Sequence, residues 1–364
     1  MKINYILPSI FKSGGIRIIF EYANLLTRLG HDVTVYYPII PQDFHRKDYS
    51  LSRVKKYITA LIENLKNVIR KKYYDHEFNL KAVPYLGELF IRKADFTIAT
   101  AWPTAFFVNQ LKSDKGKKIY FIQDYEDWNS NLEQVDKSYL LPLIRITISN
   151  SLQELFKNKF GIDCYVIYNG LDRDKFYFEN KTKNFNLKKI LFIDHGLDKK
   201  NIRALIPIIE KLKISFPELE FVSFGLINHT AKPSFVKFYE NPEDSVIRKL
   251  YNEADLFIYP SLSEGFGLPP AEAMACKCAV ASTPVGAIPE YIVDGETGYI
   301  IKNRDLTDIP DIIRRIINDP VRLREVSNNG YNKVNEFFDW SKSVNKFIKY
   351  LSELNESQDI HHNS

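Results

Sequence analysis

Apolar positions along the chain alternate between two patterns. Short runs of mainly apolar residues recur at Ile3–Leu7, Asp32–Tyr37, Asp95–Ala99, Lys118–Ile122, Arg145–Ile148 and Tyr165–Tyr168, each bounded by polar or turn-forming residues. Runs of this length read as strands buried on both faces of a parallel sheet. Between them apolar residues shift to helical spacing, as over Ile16–Leu29, where Gly30 stands in the place of a left-handed helix cap. A second series repeats the plan with strands at Ile190–Asp194, Glu220–Phe224, Asp255–Tyr259 and Ala279–Ser282, a helix over Ile202–Phe216 and closing helices from Leu306 to Leu354. This alternation predicts an α/β chain with parallel sheets. The stretch from Asp172 to Lys189, rich in Lys, Asn and Asp, carries neither period and reads as a linker.

Composition narrows the picture. A chain of 364 residues exceeds one ordinary domain, and two of about 170 residues fit the usual size. With 45% hydrophobic and 26% charged residues, it has ample core for a soluble globular protein. No apolar run reaches the ~18 residues that cross a bilayer. Met1–Leu7 reads as a strand stopped by Pro8 rather than a signal peptide, so a cytoplasmic protein is expected. Cys164, Cys276 and Cys278 have no metal-ligand spacing and read as small buried residues in a reducing cytoplasm, and no cofactor is expected. The net charge of +5 permits contact with an anionic surface without calling for nucleic acid.

The most informative segment is Ser261-Leu-Ser-Glu-Gly-Phe-Gly-Leu-Pro-Pro-Ala-Glu272. Glu264 and Glu272 stand eight positions apart around a glycine loop that opens into a helix. Gly265 and Gly267 allow the backbone close to a ligand, and a helix start offers N–H groups and a positive dipole end to phosphate. Pro269 and Pro270 suit a first turn, where a missing N–H costs nothing. A carboxylate before the loop can accept hydrogen bonds from hydroxyl groups, so the run reads as a nucleotide-sugar site. An ordinary turn, with Glu272 complementing the helix dipole, accounts for the same residues.

This segment, continued by Thr283–Glu290 and Asp294–Gly298, resembles the E-x7-E signature of the retaining glycosyltransferases of family 4. The resemblance covers nearly the whole chain. It implies the GT-B fold: two Rossmann-like domains facing a central cleft, with a C-terminal helix crossing back to the N-terminal domain. The corresponding boundaries are an acceptor-binding domain over 1–172, a linker over 173–188, a nucleotide-sugar domain over 189–336 and a returning helix over 337–356. Phe337, Phe338 and Trp340 resemble that helix's anchor.

The resemblance extends to further residues. Asp194–Asn201 leaves a strand and enters a helix; Lys200 matches a late basic residue that neutralises the donor diphosphate, and Lys199 stands beside it. His195 occupies a place where the family usually has Arg. Gly14 and Gly15, after the first strand, resemble a cleft-lining Gly-Gly loop, although the dinucleotide fingerprint G-x-G-x-x-G is missing and a plain strand-to-helix turn fits as well. Gln123-Asp124 stands where many members have His and is similar to a subgroup making rhamnose-type linkages. Asp124 is the candidate cleft residue there, with a helix-cap or turn role as the alternative. Ser149 reads as a helix cap, and Asn169-Gly170 as a turn.

The implied function is metal-independent hexosyl transfer from a nucleotide diphosphate-sugar to a glycan or lipid-linked acceptor in polysaccharide synthesis. Glu264, Lys200 and Asp124 are the candidate catalytic residues. Gly14, Gly15, His195, Lys199, Gly265, Phe266, Gly267, Leu268 and Glu272 are the candidates for donor binding. Two alternatives stay open: a non-catalytic GT-B partner subunit, and a sugar-nucleotide epimerase, against which the few histidines count. Finally, Val54, Ile58, Leu61, Leu65 and Val68 repeat at helical spacing within the basic stretch Leu51–Tyr74. That pattern fits either a helix lying on an anionic membrane, hence a peripheral protein on the inner face of the plasma membrane, or a solvated face.

Overall fold

The computed structural model describes residues 1–10, 13–39, 62, 76–126, 131–179, 183–194, 196–226 and 230–362, with side chains to 356. The chain divides into two compact units, Met1–Tyr168 with Lys342–Ser364, and Asn169–Ser341. Each is a parallel sheet covered by helices.

In the first unit the order is β1 (Lys2–Ile6), α1 (Gly14–Arg28), β2 (Asp32–Pro38), β3 (Asn79–Val83), β4 (Phe96–Ala99), α2 (Trp102–Gln110), β5 (Lys117–Ile122), α3 (Leu132–Tyr139), β6 (Ile144–Thr147), α4 (Asn150–Phe160) and β7 (Tyr165–Val166). Among the described residues the sheet runs β3-β2-β1-β4-β5-β6-β7, all parallel. Local chemistry sets the helix ends. The Ser13 hydroxyl accepts from Ile16 N to start α1, and Ser149 does the same for α4 through Leu152 N. Gly30 and Gly161 stop the two helices at φ of 82° and 68°, where a side chain would be strained.

The second unit follows with β8 (Lys189–Ile193), α5 (Ile202–Ser215), β9 (Glu220–Gly225), β10 (Val236–Glu240), α6 (Asp244–Glu253), β11 (Leu256–Tyr259), α7 (Leu268–Ala275), β12 (Ala279–Ser282), α8 (Ile288–Tyr291), β13 (Tyr299–Ile300), α9 (Ile309–Asn318) and α10 (Pro320–Phe337). Its sheet order is β10-β9-β8-β11-β12-β13, again parallel. Ile190, Phe192, Ile258 and Ala281 of the sheet meet Leu205 and Ile209 of α5 and Ile312, Ile313 and Ile316 of α9 in one core. The strand order reverses between β1 and β4 and between β8 and β11. At such points the loops diverge and leave a crevice at the carboxyl ends of the strands.

The structure revises the sequence reading in three places. Strands β3, β10 and β13 were not expected: the first two are edge strands whose Lys81, Lys237 and Glu240 interrupt any apolar run, and β13 has only two residues. Of the 173–188 stretch, expected as a linker, the described residues belong to the second unit. Buried Phe176 packs against Tyr251; Glu179 N donates to Asn252 Oδ1 at 2.8 Å, and Lys183 Nζ donates to Ala254 O and Lys277 O at 2.6 and 2.9 Å. Anchors spread along an extended segment leave no period to read. The last helix, α11 (Trp340–His362), places its residues from Lys342 onward with the first unit. Phe347 meets Tyr22 and Phe121 there, and Tyr350 stacks on Tyr165 at 3.8 Å. Phe338 instead packs on Phe266 and Tyr291 of the second unit, so the expected aromatic anchor holds a different partner.

Candidate functional site

In the second unit, side chains converge where β8 and β11 end. Asp194, wholly buried after β8, accepts from Lys232 Nζ at 2.6 Å, Gly196 N at 3.0 Å and Thr230 N at 3.1 Å. Burial alone would raise its pKa, but the Lys232 ammonium and the two N–H donors more than offset that and hold it below the ordinary carboxylate range. The pair clamps the loop after β8 to the loop after β9. A Cβ on Gly225 would lie 1.9 Å from Asp194 O, so only glycine fits at the end of β9.

The chain then turns through Asp198–Lys200, and Asn201 at φ 58° delivers it into α5. Lys199 O accepts from Leu262 N at 2.7 Å, which ties this turn to the loop after β11. Lys200 is thereby aimed at that loop. Its Nζ donates to Glu264 Oε1 and, at 2.8 Å, to the Tyr259 hydroxyl. Tyr259 donates to the same Glu264 oxygen at 2.7 Å, and Ser261 Oγ lies 2.6 Å from it. Lys200 and Glu264 are nearly inaccessible, with side chains 10% and 11% exposed. Burial pushes the Glu264 pKa up, but the Lys200 charge and the three donors outweigh it, so the carboxyl stays ionised below its usual range.

After Glu264 the chain runs through Gly265, Phe266 and Gly267, all buried, into α7. Gly267, at φ 81°, faces Ile288 and the Tyr291 hydroxyl, which donates to its carbonyl at 2.8 Å. Gly286, at φ 55°, lies so close that a Cβ there would meet Glu264 O at 2.4 Å. Among the described residues no acceptor meets the main-chain N–H groups of Gly265, Phe266, Gly267 or Leu268. Four successive free donors at a helix start, in a tightly fixed loop, are chemically suited to an anion. The Phe266 ring is core, packed on Phe338, so only its main chain faces this role. Glu272 lies one turn into α7, 9% exposed.

Gly14, Gly15 and Asp124 belong to the first unit. A pocket of 230 Å³ lies at the switch between β1 and β4, lined by Leu7, Pro8, Ser13, Gly15, Thr100 and Asp124 among others. A Cβ on Gly14 would meet nothing within 4 Å, and one on Gly15 would sit at ordinary contact from Gln123. The fold itself requires neither glycine. The pocket also contains Glu126, which the sequence reading did not single out. Its Oε1 accepts from Trp102 N at 2.9 Å and Tyr120 Oη at 3.2 Å. Burial, abetted by neighbouring Asp124, overcomes these two bonds and raises its pKa to about 8. His195 and the Leu51–Tyr74 stretch, apart from Ile62, lie outside the described residues.

Residues 173–333 match the family described as Glycosyl transferases group 1. Through this match the second unit is similar to the group 1 glycosyl transferases. Residues 2–152 match the family described as WsaF, N-terminal domain. Similar proteins include an uncharacterized glycosyltransferase of Methanocaldococcus jannaschii, 28% identical over 57% of this chain and 58% of that protein. The capsular polysaccharide biosynthesis glycosyltransferase CapM of Staphylococcus aureus is 24% identical over 57% of this chain and 60% of its own. Both alignments cover less than two thirds of the relative. Solved structures extend the likeness to the whole fold. Anabaena Alr3699/HepE in complex with UDP superposes at a TM-score of 0.75 with 17% identity, covering 97% of this chain and 100% of that one. Sucrose-phosphate synthase from Thermosynechococcus elongatus gives 0.71 at 15% identity, over 98% and 99%. The fold is GT-B, two Rossmann-like parallel α/β domains.

Proposed function

We propose that this protein is a retaining glycosyltransferase of family 4 that moves a hexose from a nucleoside diphosphate-sugar to a glycan or lipid-linked acceptor in polysaccharide synthesis. The observation that carries the reading is the run of four free N–H groups at Gly265–Leu268 beside Lys200 and Glu264. Those donors and the Lys200 ammonium supply positive charge where a departing diphosphate needs it, and this charge makes a metal ion unnecessary. Glu264 orients the transferred sugar, and Glu272 holds the ribose. His195 and Lys199 add contacts to the donor. Gly14 and Gly15 leave room for a ligand in the first unit, where Asp124 is assigned a catalytic role.

Two finer assignments follow. The Gln123-Asp124 pair supports a rhamnosyltransferase-like subgroup. The basic, apolar-striped Leu51–Tyr74 segment supports peripheral attachment to an anionic membrane, which co-sedimentation with anionic vesicles tests. No helix among the described residues is long and apolar enough to cross a bilayer. A thermal-shift panel of nucleoside diphosphates and their sugars tests the donor site: stabilisation by one base family, followed by release of its diphosphate on turnover, is expected. No stabilisation by any of them would refute it.

A further inference from the structure

Tyr259 ends β11 with its ring only 1% exposed, yet its hydroxyl sits between two opposite charges. It accepts from Lys200 Nζ at 2.8 Å and donates to Glu264 Oε1 at 2.7 Å. A neutral hydroxyl can do both at once; an amide N–H or an ammonium cannot. Burial and the adjacent Glu264 charge drive the phenol's own pKa well above its usual range, so it remains a donor throughout the working pH range. Other groups facing Glu264 are the Lys200 ammonium, the Ser261 hydroxyl and the neutral Tyr291 phenol.

The arrangement raises a question of charge. If Lys200 serves the donor diphosphate, Glu264 loses part of its counter-charge just as a second anion arrives beside it. A carboxylate so enclosed would take up a proton and lose its capacity to accept from sugar hydroxyls. We propose that Tyr259 is a positioning residue which, with Ser261, holds Glu264 ionised and aimed while Lys200 turns to the diphosphate. This rests on the donor-site reading above.

Proton counting tests it. Calorimetric titration of the full chain with UDP, ADP, GDP and dTDP, each in two buffers of different ionisation enthalpy, gives the protons taken up per nucleotide bound. At pH 6, whichever nucleotide binds should bring almost no uptake in the wild-type protein and a clear fraction of a proton in Tyr259→Phe. The acid limb of its affinity should move up by about one pH unit in that variant, the usual size of one lost charge-assisted bond. The extra uptake should vanish in Tyr259→Phe combined with Glu264→Gln. Ser261→Ala, which removes the other hydroxyl from the same oxygen, should show the same sign and serves if Tyr259→Phe does not fold. A merely structural tyrosine would alter melting and affinity without altering proton count. Binding with equal proton counts in wild type and both variants overturns the role of Tyr259 alone, whereas failure of all four nucleotides to bind overturns the donor site beneath it.

Discussion

Glu126→Gln should remove a pH dependence of stability that the fold builds into the first unit. Glu126 is 9% exposed, and its carboxyl pKa rises from about 4.5 to about 8 because burial disfavours the charge more than Trp102 N and Tyr120 Oη favour it. The folded chain therefore keeps a proton that the unfolded chain releases. Stability from this group is fully present below about pH 4.5 and is lost as pH rises through about 8. A gap of roughly 3.5, at about 1.4 kcal/mol per pH unit, corresponds to about 4–5 kcal/mol. Glutamine is a neutral isostere whose carbonyl can still accept from Trp102 N and Tyr120 Oη, so the two proteins should be nearly equally stable at pH 5. At pH 9 the variant should be more stable by several kcal/mol. Urea denaturation of both at closely spaced pH values reads the difference directly. Parallel stability curves from pH 5 to 9 would refute the claim that Glu126 is held protonated.

Two further outcomes follow from the second unit. Lys200→Ala should weaken nucleoside diphosphate binding by about 10- to 100-fold, the size of one charge-assisted contact of roughly 1.5–3 kcal/mol, and unchanged affinity by calorimetry would shift that role to Lys199 or His195. Lys232→Met strands Asp194 as a buried charge and should cost about 3–5 kcal/mol in urea denaturation, with the loss shrinking toward acid pH; a loss under 1 kcal/mol would mean the clamp is not needed.

How much of this was legible in the sequence depends on where a residue's partners come from. The central strands could be read because both faces are buried and their residues are apolar in succession, as in Leu256 to Tyr259. Edge strands such as Val236–Glu240 could not, since one neighbour and one wet side leave them lysines and glutamate. Glu264 and its glycines form a local constellation and stand out in the chain. Tyr259 is one of 22 tyrosines, and nothing local distinguishes it until Lys200 and Glu264 close on its hydroxyl. Glu126 is further from view, because its burial needs Trp102 from α2, Tyr120 from β5 and Tyr139 from α3. The Phe337–Trp340 cluster shows the converse: its aromatic character was plain, but not that Phe338 would turn to Phe266.

The central claim is that Glu264 and Glu272 serve one sugar-nucleotide donor in different ways. Steady-state kinetics and melting curves on Glu264→Gln and Glu272→Gln, with the donor found by the thermal-shift panel, test it most directly. The account predicts that Glu264→Gln lowers the rate of transfer far more than nucleotide affinity, while Glu272→Gln weakens donor and nucleoside diphosphate alike. A pure dipole role for Glu272 would show only a modest stability loss of about 0.3–1 kcal/mol and no kinetic change. Full activity in both variants would contradict the assignment of this loop as a glycosyltransferase site.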